Sequence, residues 1–265
     1  MMGLLIFTRE AFKLMLKEPK LFLPKIFVAV IYSIPLLWLA QLLVNNGALF
    51  EVMVKGDTPS IEEFYAISAL FWQLMLIAVI TLIAFVIDTL VNAMYPFLLR
   101  EYYKKKKLSL GKAFRNSLKN TFRIVPIGLA LVLIVSLPIS IAQMQFAKAS
   151  GSFLSTAIFG GLLTLLGTIL IVAIFYFVYP TIVLEDKPVA ECLKNNFKLV
   201  KKNKGTVLGA SVISLASALV SLGFSFAAVF EPIFIVLFFI ERLLLVVIFT
   251  YQNVLNQVVY FGVSK

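Results

Sequence analysis

Residues 11–17 read AFKLMLK, residues 113–119 read AFRNSLK and residues 192–198 read CLKNNFK. Each is an apolar residue, a basic residue, two free positions, an apolar residue and a basic residue. A spacing of four places the apolar pair on one helix face and the basic pair beside it. The first two copies lie 102 residues apart, and the same shift carries Pro24 onto Pro126. A second marker runs in step: Tyr95-Pro96, Tyr179-Pro180 and, with the proline lost, Tyr251-Gln252. Tyr-Pro is read as the close of a span. The chain is therefore expected to hold three repeats, about residues 8–100, 109–185 and 188–265. Each is a short basic amphipathic "elbow" helix followed by a helical hairpin.

The hairpins are apolar enough for lipid. The 265-residue chain is 61% hydrophobic and 14% charged, with mean hydropathy +1.00. A soluble fold has about a quarter of its residues charged. A hydrocarbon core of about 30 Å takes roughly 20 helical residues. Six spans are expected near Leu21–Val44, Ala66–Leu99, Ile124–Phe146, Phe153–Leu184, Val207–Phe230 and Ile233–Val263. The even-numbered ones exceed the need, so they tilt or extend beyond the lipid. The fold class is all-α, a single polytopic membrane domain.

Charge orients it. Of 24 Lys and Arg, 21 fall before or at the start of span 1, between spans 2 and 3, between spans 4 and 5, or at the terminus. Only Lys55 and Lys148 fall in the opposite loops. The positive-inside rule then places both termini in the cytoplasm of a cell-membrane protein. The net charge of +11 is a matter of topology, not of nucleic-acid binding. Lys13, Lys17, Arg115, Lys119, Lys194 and Lys198 of the elbows are the candidate contacts for anionic lipid headgroups. Each near-surface cation contributes about 1 kcal/mol to that attraction. The run Lys104–Lys107 adds a dense patch. The apolar faces, Phe12 with Leu16, Phe114 with Leu118 and Leu193 with Phe197, suit the acyl boundary.

Several chemistries are set aside. The chain has no histidine, and its one cysteine, Cys192, excludes an internal disulfide and a thiolate metal cluster. No phosphate-cradling loop, nucleophile elbow or zinc spacing is present. Met1–Phe7 lacks the basic start and small-residue cleavage site of a signal peptide. No cofactor, metal or catalytic residue is expected, and the protein is not read as an enzyme. Glu185-Asp186 is expected to cap the turn before the third elbow.

Ionisable groups at membrane depth point to function because they are costly there. Asp88 lies about 18 Å from the basic edge and Arg242 about 14 Å from the other, at 1.5 Å per residue. The two are expected to pair. Glu241 points about 100° away from Arg242, which leaves it in need of water, a hydroxyl or a proton. Asp88 and Asn92, with Thr81 and Tyr95, form one polar stripe; Arg242, Asn253, Asn256 and Tyr260 form another. Ser214, Ser217, Ser221 and Ser225 form a third, and with Gly160, Gly161 and Gly167 suit close helix packing.

Residues 179–201, from Tyr179-Pro180 through Glu185-Asp186 to Ala190, Leu193-Lys194 and Phe197-Lys198, resemble a family of uncharacterised archaeal and bacterial integral membrane proteins. They are similar to the membrane domain fused to some glycerophosphoryl diester phosphodiesterases. The resemblance implies a membrane module near lipid metabolism and carries over no catalytic residue. The expected function is lipid handling or small-molecule transport; the alternative is a non-catalytic scaffold or accessory subunit. The expected partners are anionic membrane lipids, with a protein partner or a second copy also open.

Overall fold

The computed structural model describes residues 2–46, 61–150, 153–185, 187–212, 219–220 and 234–264. All regular structure among them is helical. The helices are α1 (Met2–Lys17), α2 (Leu23–Asn45), α3 (Ile61–Asn92), α4 (Met94–Tyr103), α5 (Leu110–Lys119), α6 (Thr121–Ser150), α7 (Phe153–Ile174), α8 (Val178–Leu184), α9 (Val189–Lys202), α10 (204–212) and α11 (Phe234–Val263). A 3₁₀ turn, Pro19–Leu21, joins α1 to α2.

Five stretches are long and apolar enough to cross a membrane: Pro19–Leu42, Tyr65–Tyr103, Thr121–Phe146, Leu165–Leu184 and Ile235–Val263. By length and composition this is a multi-pass membrane protein. The expected fifth span and the serine stripe lie largely or wholly outside the described residues, as do Asp186 and Lys55. Large apolar side chains stay exposed along the spans, among them Trp72 (72%), Leu166 (63%) and Leu243 (66%). Such an exterior suits lipid and would be a liability in water.

The chain divides into two compact units, Ile26–Asp88 and the remainder. In the first, α2 and α3 pack through Leu42, Leu70 and Ile77, with Trp38, Leu39 and Leu74 around them. In the second, α4, α6, α8 and α9 meet at Ala93, Ile124, Val178, Ile182, Val183 and Cys192. There α1 also lies against α11. Phe7 sits so close to Gly262 that a Cβ there would lie 2.5 Å from the ring. The Tyr251 hydroxyl donates to the Thr8 carbonyl at 3.2 Å.

The prolines account for one difference from expectation. Tyr95-Pro96 and Tyr179-Pro180 do not close their spans; each opens a second, short helix. α3 stops at Asn92 and α4 starts at Met94; α7 stops at Ile174 and α8 starts at Val178. Both prolines occupy the third helical position, where the missing N–H has no intrahelical partner to lose. Tyr251-Gln252 lacks the proline, and α11 runs unbroken through it. The excess length of the second and fourth spans is thus a separate segment after a break.

Candidate functional site

The elbow sequences fold as α1, α5 and the first part of α9. Ser109 caps α5, its hydroxyl accepting from the Lys112 N–H. Pro188 starts α9 with no side-chain cap, and Asp186 of the expected capping pair lies outside the described residues. Glu185 instead accepts from Asn195 Nδ2 at 2.7 Å and from the Tyr260 hydroxyl at 3.3 Å. Lys187 stands 3.6 Å from the same carboxylate.

Corresponding elbow positions share one environment. Ala11, Ala113 and Cys192 are buried, and so, four residues on, are Met15, Ser117 and Asn196. The apolar residues of the pattern face outward: Phe12, Leu16, Phe114, Leu118 and Phe197 are all exposed, with Leu193 half-buried. Lys13, Lys17, Arg115, Lys119, Lys194 and Lys198 are exposed beside them. Lys25 differs: it is buried, its ammonium 5.5 Å from the centre of the Phe249 ring. Arg123, at the start of α6, donates to the Lys187 carbonyl and to Asn120 Oδ1, and lies 3.8 Å from the Cys192 sulfur. Burial pushes the Cys192 thiol up, and the Arg123 charge only partly counters it. A buried neutral thiol is a packing group, not a nucleophile.

Between α4 and α5 the structure has a cleft of about 230 Å³, lined by Phe97, Arg100, Glu101, Lys104, Lys106, Lys112 and Asn116. Sequence reading had singled out only the lysine run.

The polar residues of the long apolar helices take several roles. Arg242 pairs with its neighbour Glu241 at 2.9 Å and lies 5.1 Å from the Phe238 ring centre. The expectation that Glu241 needs another partner is corrected: the long guanidinium arm folds back across the 100° between the two Cα–Cβ bonds. Asn253 donates to Phe249 of its own helix at 2.8 Å. Asn92 ends α3, and Asp88 is the last residue of the Ile26–Asp88 unit; both are half-buried.

Asn256 donates to the Tyr176 carbonyl. That carbonyl is the one that Pro180, lacking an N–H, cannot serve. Sequence reading missed Asn196, which it treated as a free position. It is wholly buried. Its Nδ2 donates to the Ile174 carbonyl at 3.0 Å, and its Oδ1 accepts from the Phe177 N–H at 2.9 Å. Ile174 needs that donor because Val178 N–H has turned to Phe175 at 3.0 Å. Two asparagines from two other helices therefore stitch the α7–α8 break. A proline four residues after a carbonyl, with asparagines elsewhere in the apolar sequence, was the available signal.

A family model described as a family of unknown function, DUF7544, matches residues 20–264. The chain belongs to this family. The match takes in the second and third elbows, the cleft and both proline breaks of this DUF7544 member; α1 precedes it. An uncharacterised family agrees with the resemblance seen in residues 179–201, but the match carries no link to glycerophosphoryl diester phosphodiesterases. No curated protein and no solved structure matches the chain.

Proposed function

We propose that this DUF7544 member is a non-catalytic lipid-handling module of the cell membrane. In this reading it has six spans in three repeats, with both termini and all three elbows at the cytoplasmic face. The observation that carries it is the shared geometry of the elbows. Each buries a small residue and its neighbour four positions on, and holds its apolar face outward between exposed cations. A helix so divided lies in the headgroup layer, its apolar face in the acyl boundary and its cations on phosphates. The threefold reading is supported by the segments after Tyr95, Tyr179 and Tyr251. α4 packs on α8 and on α11, and Phe177 stands 6.0 Å from Tyr260 between α8 and α11. The resemblance read in residues 179–201 of the sequence implies the same area of lipid metabolism.

Native mass spectrometry of protein taken from its own membrane in mild detergent tests this. The expected result is retained anionic lipid that falls when Lys194 and Lys198 become Gln. A stoichiometric protein partner with no specific lipid would replace the proposal with an accessory-subunit role.

A further inference from the structure

The positive-inside rule accounts for how many cations lie at the basic end. It does not account for their convergence on one cavity. Arg100 comes from the last turn of α4, Lys104 and Lys106 from the turn that follows, and Lys112 and Asn116 from successive turns of α5. Glu101 is the lining carboxylate, and it is already engaged. It accepts from the Ser109 N–H at 3.2 Å and pairs with Lys112 at 3.4 Å. It therefore ties the α4–α5 turn shut without neutralising the rest. Among the described residues no carboxylate lies within ion-pair distance of Arg100, Lys104 or Lys106.

The backbone makes a further concession to this arrangement. Lys105 has φ 54°, the left-handed region that glycine normally fills at a helix end. Lys105 N–H bonds to Tyr102 and Lys106 N–H to Glu101, closing the α4 C-terminus around that residue. A side chain in this conformation is strained, and strain of this kind gathers at binding sites. Here it reverses the chain so that the lysines before and after it line the same cleft.

We propose that this cleft binds a phosphate monoester dianion. A planar guanidinium can take two phosphate oxygens at once, ammonium groups act as point charges, and Asn116 adds a neutral donor. Three uncompensated cations suit a monoester, which carries nearly two charges at neutral pH, better than a diester, which carries one. The space equals on the order of eight water volumes, room for a phosphoryl group and its ester carbon. The source is either a lipid headgroup or a soluble phosphorylated compound. Only the lipid source rests on the membrane-surface reading above.

The test uses the full chain in nanodiscs with equal mole fractions of phosphatidic acid and phosphatidylglycerol, read by native mass spectrometry. Three proteins are compared: wild type, Lys104→Gln/Lys106→Gln, and Lys194→Gln/Lys198→Gln, each checked for an unchanged melting temperature. The expected result is a preference for phosphatidic acid of about tenfold in the wild type, each lysine contributing a few-fold. That preference is lost in the 104/106 variant and kept in the 194/198 variant, which loses both lipids alike. Glycerol 3-phosphate and inorganic phosphate are then titrated in. Displacement of the phosphatidic acid assigns a soluble ligand, and failure to displace it assigns a lipid. Soluble phosphate bound in the absence of any lipid preference, and lost in the 104/106 variant, also supports the site. The proposal is overturned if the 104/106 variant binds as the wild type does, or if the wild type shows neither the preference nor phosphate binding. Unchanged lipid in the 194/198 variant overturns the elbow reading alone.

Discussion

The α7–α8 junction and the middle of α11 carry nearly the same sequence mark, Tyr-Pro in one and Tyr-Gln in the other, yet one is broken and the other continuous. The break is not a weak point in the ordinary sense. Its orphaned carbonyls at Ile174 and Tyr176 and its orphaned N–H at Phe177 are each met by an asparagine side chain. The unbroken helix needs no such help, since residue 252 can donate along the ladder. The difference teaches that a proline break in an apolar environment is a shared structure: one helix supplies the gap and others supply the donors.

The strongest way to break this comparison is to put the missing proline back. Gln252→Pro frees the Ile248 carbonyl in a helix whose neighbours are not arranged around a gap. It is expected to destabilise by roughly 3 kcal/mol or more, seen as a fall in the thermal midpoint in detergent. Next comes Asn196→Ala, which strips both sides of the α7–α8 joint at once. A buried N–H and a partly buried carbonyl lose their partners, for about 2–3 kcal/mol by chemical denaturation. A double-mutant cycle sharpens the comparison further. Asn256→Ala alone is expected to cost about 1–2 kcal/mol. With Pro180→Ala already in place, residue 180 can serve the Tyr176 carbonyl itself, and the cost of Asn256→Ala shrinks by about 1 kcal/mol. Additive costs would show that the asparagine does not answer the proline. The smallest effect is expected at Lys105→Gly, which removes left-handed strain while loosening the unfolded chain. The net gain is about 0.5–1 kcal/mol in stability, with weaker phosphate binding as the turn slackens.

How much of this was legible varies by residue. The helical form of the three elbow stretches and the outward turn of their apolar and basic residues were, because spacing of four leaves a periodic trace. Five of the six expected apolar spans were, because a run of twenty apolar residues has few other readings. The joint was not. Asn196 sat in a variable position of the elbow pattern, and Asn256 fell into a stripe of polar residues with no visible target. Their targets are backbone atoms, which every residue has and no sequence pattern marks. Pro180 signalled that a hydrogen bond was missing, but a span end and an internal break read alike from one proline. Glu241 and Arg242 failed differently: Cα–Cβ directions predicted separation, and the flexible length of arginine overrode them. The α4–α5 cleft needed the turn at Lys105, whose left-handed conformation has no sequence signature when a lysine occupies it.

The stitched joint also orders events in time. Ile174, Tyr176 and Phe177 leave the ribosome well before Asn196 and some eighty residues before Asn256. The joint is therefore complete only once the last helix has been made, and a chain truncated before Asn256 would lack the donor to the Tyr176 carbonyl.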